Sequence, residues 1–169
     1  MEQKITSPFL KALVIGLLMI IVSLVIVFTG NQINGAMQWA IYGVFIVGII
    51  FSISQYGKEI NYNSGFGNYF AHGFKIAAVI TLIMIAYLLI FMAFMPEFKD
   101  QALDEARKSM QKKDGITQEQ IDQAINLTRK SFFPFLIAGA LFIYLIIGAI
   151  ASLIGAAITK KHPQVIHEA

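Results

Sequence analysis

The sequence contains no cysteine. That absence removes disulfide scaffolds, thiolate metal sites, cysteine nucleophiles and iron–sulfur clusters together. Charge is scarce too: Asp, Glu, Lys and Arg make up 14% of the 169 residues, where a soluble domain carries about 25%. A chain this short has too much surface for its volume to stay soluble on so few charges. The formal net charge is only +3, and no stretch reads as a nucleic-acid surface. What fills the chain is apolar, 57% of it counting tyrosine. These proportions imply a membrane protein.

The spacing of ionisable residues sets the number of crossings. Between Lys11 and Lys58 lie 46 residues without Asp, Glu, Lys, Arg or His, between Lys75 and Glu97 lie 21, and between Lys130 and Lys160 lie 29. A helix needs about 20 apolar residues to cross the hydrocarbon core. The second and third windows each fit one crossing. The first fits two, because Thr29-Gly30-Asn31-Gln32-Ile33-Asn34-Gly35 is a polar, Gly- and Asn-rich break of the kind that ends one helix and opens another. Four transmembrane helices are therefore expected, at about 9–29, 36–54, 74–95 and 133–158. Ser7 before Pro8 reads as an N-cap followed by a first-turn proline. Strands are excluded, since the runs do not alternate and an open sheet cannot satisfy its backbone in lipid. The first apolar run is longer than a signal-peptide core, and no A-x-A site follows promptly, so it is read as a retained span.

With four crossings both termini share a face with the second connection, 55–73. That face carries Lys4, Lys11, Lys58, Lys75, Lys160 and Lys161, whereas the first connection, 30–35, carries no charge. The third connection holds seven Lys/Arg and seven Asp/Glu. The early helices usually dominate orientation, so the N and C termini are expected to be cytoplasmic. Trp39, Tyr42 and Tyr56 fall near the ends of the second span, as interfacial rings do. Lys11 and Lys75, at helix ends, are expected to snorkel to the headgroups.

Residues 96–132 read as two short helices about a turn. Phe98, Ala102, Leu103, Ala106 and Met110 recur at helical spacing, as do Ile121, Ala124, Ile125, Thr128 and Phe132. Lys112-Lys113-Asp114-Gly115 has turn chemistry, with Gly115 suited to a left-handed cap. Thr117 and Gln120 match a capping box. The economical arrangement extends the third and fourth spans beyond the lipid as an antiparallel stalk, with Pro96 and Pro134 at the interfaces. This hairpin is either a solvated element held by i,i+4 charge pairs or a docking surface for a membrane-protein partner.

Transporters and proton relays carry ionisable groups inside the membrane, because such groups are costly there. The central portions of the four spans have none. No catalytic, cofactor-binding or metal constellation is visible. The buried polar candidates are Tyr87, Tyr144, Thr81 and Ser152. Tyr87 and Tyr144 fall near the midplane, where a phenol needs a partner, and each other or a backbone carbonyl would serve. These four residues either hold helices together or line a substrate path. In the last span Ala140, Gly148, Ser152 and Ala156 form a small-residue stripe that packs inside the chain or at a seam between copies. Asn61 to Lys75, rich in Gly, Tyr and Phe, reads as an interfacial loop. There His72 and Lys75 are candidate contacts for an anionic lipid headgroup, and a weaker reading makes them an interfacial enzyme site. His162 and His167, in a short tail, are expected to be solvated.

Four helices, a Gly/aromatic segment ending in Gly73-Phe74-Lys75 and a charged helical insertion before the last span together resemble an uncharacterised bacterial family. It is one of the domain-of-unknown-function families of inner-membrane proteins common in Bacteroidota. The resemblance runs over nearly the whole chain and is most specific from Gly65 to Lys75, then through the third helix and the Pro96 junction. Asn68 and Tyr69 stand where that family usually has an apolar residue and Ser. The resemblance implies fold and an inner-membrane location, and it brings no catalytic residues with it.

The expectation is an all-α integral membrane protein, one membrane domain over 1–169. Four transmembrane helices form an antiparallel bundle, with a helical hairpin extension between helices 3 and 4. Its expected role is non-enzymatic, without a cofactor, as an accessory or scaffold subunit in the lipid bilayer. It would act through the hairpin or the small-residue stripe. The alternative is a small homo-oligomeric transporter or channel lined near Tyr87, Tyr144, Thr81 and Ser152.

Overall fold

The structure is a computed structural model and describes residues 5–30, 35–113 and 115–159. The break at 31–34, Asp114 in the hairpin turn, and the terminal Lys4, Lys160, Lys161, His162 and His167 lie outside those residues. The described residues form six helices and no strand: α1 Pro8–Phe28, α2 Gly35–Glu59, α3 Phe66–Phe94, α4 Glu97–Gln111, α5 Gln118–Lys130 and α6 Phe132–Ile158. Four of them are long and apolar enough to cross a membrane: α1, the Trp39–Glu59 part of α2, α3 and α6. Ser7 caps α1 by accepting the Phe9 N–H at 3.3 Å, with Pro8 in the first turn.

Two of the expected limits are wrong, both at the second connection. α2 runs on to Glu59 instead of stopping at 54, and α3 starts at Phe66 instead of 74. The segment taken for an interfacial loop is therefore mostly helix. Charge-free windows end a span at its first ionisable group, but a helix continues wherever such groups find partners. The start of α3 is held by the Gly65 carbonyl, which accepts the Asn68 and Tyr69 N–H groups at 3.2 and 3.3 Å. Asn68 also donates its side-chain amide to the Ser64 hydroxyl at 2.9 Å. The connection left between the helices is so tight that Asn61 and Tyr62 both take positive φ, 53° and 58°, a conformation a bulky residue adopts only when its surroundings hold it. The Tyr62 N–H donates to the Gly57 carbonyl at 2.7 Å. A Cβ at Gly57 would stand 2.8 Å from the Thr159 methyl and 3.1 Å from the Tyr62 ring, so only glycine fits beneath that turn.

Contacts gather into two units, one from the chain up to Met84 and from Ile143 on, the other Ile85–Phe142. In the first, the helices meet at small residues. A Cβ at Gly148 of α6 would lie 2.5 Å from the Ala77 Cβ of α3, and one at Gly48 of α2 would lie 2.9 Å from Ile15 of α1. Gly148, Ser152 and Ala156 of the small-residue stripe thus belong to packing within the chain; Ser152 and Ala156 are fully buried.

The second unit contains the hairpin. Leu103 of α4 and Ile121 and Ile125 of α5 are buried. Met92, Leu103 and Phe132 form a cluster with Leu88, Phe98 and Leu136 packed on it. Arg107 reaches Asp122 at 2.7 Å and Arg129 reaches Asp100 at 3.7 Å, so α5 runs back along α4. These ion pairs cross the seam, and among the described residues only Lys108–Glu105, at 2.9 Å, lies along one helix. The spacing of that pair is i,i+3, not the expected i,i+4. Gly115 is left-handed at φ 85°. The capping box is present, with Gln120 N–H donating to the Thr117 hydroxyl at 3.3 Å and Thr117 N–H to the Gln120 side chain at 2.9 Å. The hairpin is set off from the spans at Met95–Pro96, where a kink was expected, and at Ser131, three residues before the expected Pro134, which lies inside α6. Pro96 has no N–H to carry the helical ladder onward.

Leu103→Ala is expected to cost about 2–5 kcal/mol of hairpin stability, read as faster amide exchange across α4 and α5. Arg129→Ala, at an exposed and long pair, should cost under about 1 kcal/mol. Gly148→Val is expected to lower the thermal midpoint in detergent, because overpacking costs about 1–3 kcal/mol and the Ala77 backbone has nowhere to retreat.

Candidate functional site

The most costly groups in the structure collect where α1 begins, α2 ends and α3 begins. Lys11 donates to Glu59 Oε2 at 3.1 Å, and the two side chains keep only 5% and 13% of their exposure. The same oxygen accepts the Thr6 backbone N–H at 3.1 Å. Each charge sits at the unfavourable end of its own helix, a cation in the first turn of α1 and an anion in the last turn of α2. Across the pair the signs are right. The carboxylate meets the positive N-terminus of α1, and the ammonium meets the negative C-terminus of α2. Lys11 was expected to snorkel to the headgroups; it turns inward because Glu59 is there to receive it.

Next to this pair, one turn into α3, lie Tyr69 and His72. Tyr69 has no exposed surface and His72 keeps 7%. The His72 ring stacks on Tyr56 of α2, with centroids 3.9 Å apart and planes 6° from parallel. Tyr69 meets the same Tyr56 edge-on at 6.0 Å. Neither the Tyr69 hydroxyl nor His72 Nε2 has a hydrogen-bond partner among the described residues, an arrangement that costs about 1–3 kcal/mol for each atom. Lys75 is exposed, three residues further along α3.

The four buried polar candidates do not converge. Thr81 donates its hydroxyl to the Ala77 carbonyl at 2.8 Å and Ser152 to the Gly148 carbonyl at 2.6 Å. Each satisfies itself on its own helix one turn back. Tyr144 lies edge-on to Phe45 at 5.4 Å and against Tyr42 at 5.8 Å. Tyr87, in the other unit, lies against Phe91 at 5.9 Å. Sequence reasoning missed Glu59, Tyr56 and Tyr69. Two charges bounding one long apolar window that folds back on itself must end near the same depth, and that signal would have paired Lys11 with the acid beside Lys58.

Chemically, the cluster offers a buried ion pair, an imidazole and a phenol. Among the described residues no group of three or more His, Cys, Asp or Glu side chains is placed to hold a metal ion.

Four apolar spans and a polar cluster at their ends define an integral membrane protein. The chain belongs to the protein-of-unknown-function family DUF4199, whose model matches residues 11–161. The match takes in Lys11, Glu59, His72 and the whole hairpin. No curated protein and no solved structure matches it.

Replacing Lys11 alone by Met is expected to destabilise the chain by about 3–5 kcal/mol, because Glu59 is left buried without its partner. The double variant Lys11→Met/Glu59→Met should recover most of that loss. Thermal unfolding midpoints in one detergent compare the two; a double variant worse than the single would mean the pair does not carry the contact between α1 and α2.

Proposed function

We propose that this protein is a non-enzymatic accessory or scaffold subunit, and that the α4–α5 hairpin is the element a membrane-protein partner docks on. The observation that carries the reading is how fully the hairpin is built. Ile121 and Ile125 of α5 are buried, two ion pairs join α4 to α5, the turn is capped, and Leu103 seats the hairpin's base on Met92 and Phe132 of the adjoining spans. A segment that only joined two spans would need none of these, since short connections suffice between neighbouring helices. An element that is already folded loses less entropy on docking than a segment that must first order.

The same reading places the protein in a bacterial inner membrane with both termini and the 60–65 connection on the cytoplasmic side, supported by the lysines at that end of the spans. The cysteine-free chain makes this simple to test. A membrane-impermeant maleimide should label Gln111→Cys in intact cells, and Asn63→Cys only after lysis.

The main test is gentle extraction, affinity capture and a mass for the intact particle. A stoichiometric second protein is expected, and Lys112→Glu at the exposed hairpin tip should weaken its recovery by about tenfold or more, as charge reversal at an interface does. Tyr87→Phe should leave recovery unchanged. A homo-oligomer with no second protein would overturn the proposal. It would favour the second reading, a small homo-oligomeric transporter or channel; the four polar residues first named for its lining do not converge, and its support is His72, buried within α3.

A further inference from the structure

Between α1 and α2 runs a groove of about 410 Å³, a volume within the roughly 300–1,000 Å³ of small-molecule sites. Ile15 and Gly48, where α1 and α2 approach closely enough to exclude a Cβ, form part of its floor. Its walls change character along their length. Val14, Leu18 and Val47 line one end, and Thr6, Lys11 and Gln55 line the other. Thr6 stands just before the start of α1, and Gln55 stands one turn before the end of α2. The polar end of the groove is therefore at the depth of the headgroups and the apolar end is deeper. From Thr6 to Leu18 the helix advances about 18 Å, long enough for much of an acyl chain.

We propose that this groove holds one glycerophospholipid, with its phosphate on the Lys11 ammonium and one acyl chain along Val14, Leu18 and Val47. An ammonium has three N–H donors, and Lys11 uses one on Glu59 at 3.1 Å. Among the described residues this end of the spans carries Lys11, Lys58 and Lys75 against Glu59, a sum of +2 that suits an anionic phosphate; of these, Lys11 lines the groove. Val14 and Val47 remain 53% and 66% exposed, so the apolar wall is turned outward. A second copy of the chain fits less well. A two-fold axis along the membrane normal brings residues of equal depth together, and that would set Lys11 and Lys58 near their own copies. The site is independent of the hairpin and of any partner it binds.

The experiment is native mass spectrometry of the purified full chain, stripped of lipid by detergent exchange and then offered vesicles of palmitoyl-oleoyl phosphatidylglycerol. One phospholipid per chain is expected to be retained. Val47→Trp, which fills the groove from an exposed position, should cut retention about tenfold or more. Val14→Trp, on the facing helix, should do the same and carries the test if the first variant fails to fold. Leu82→Trp, equally exposed at 64% but on α3 outside the groove, should retain lipid like the parent chain. Several results would overturn the proposal: no retained lipid, equal retention in the groove variants, or equal loss in Leu82→Trp. Equal retention of diacylglycerol offered in place of the phospholipid would remove the phosphate contact. A lipid-free dimer dissociated by Val47→Trp would give the groove to a second copy.

Discussion

Apolar helices gain nothing by hiding from lipid, so the spans of this protein are held together by how closely their backbones approach. The contacts at Gly48 with Ile15 and at Gly148 with Ala77 leave no room for a Cβ. Gly73 of α3 is closed in the same way, by Ile53 of α2 and the Ser152 hydroxyl of α6. Buried hydroxyls contribute little to joining helices. Thr81, Ser152 and Thr159 each donate to a carbonyl one turn back on the same chain, which satisfies them without binding a neighbour. Dispersion at small residues is what remains, and it tolerates no added volume.

Lys11 and Glu59 are the exception to that apolar rule. A buried ion pair is weak evidence for stability, because desolvation offsets most of the Coulomb attraction. Here the pair does something packing cannot. It neutralises the two helix ends that would otherwise place a cation against a positive terminus and an anion against a negative one. Glu59 closes the last turn of α2, and that turn carries Tyr56, the ring on which His72 stacks. The groove beside the ion pair ends at the same lysine, so the residue that closes the helix pair also gives the groove its polar end.

The hairpin follows different physics. Outside lipid, hydrophobic burial returns as a driving force, and α4 and α5 use it through Leu103, Ile121 and Ile125. Their exposed ion pairs add little energy. They set register, since Arg107 with Asp122 and Asp100 with Arg129 are both satisfied in one alignment of the two helices.

The number of spans, the capped start of α1 at Ser7 and the capping box at Thr117 are local properties, and composition and spacing alone determined them. The same holds for the left-handed Gly115. Each depends on lipid, on a neighbour along the chain or on a single backbone angle. The positions of Lys11, Glu59, Tyr69 and His72 are not local. A lysine at a helix end reads as a snorkelling side chain until a carboxylate 48 residues away is brought beside it. The segment from Phe66 to Gly73 reads as a loop because its glycines and its histidine are poor helix and membrane formers taken singly. Packed under Tyr56, Ile53 and Ser152 those same small or planar residues are what fits. Only the tertiary structure decided that, because the free energy of a buried charge or a missing Cβ is set by what stands opposite it.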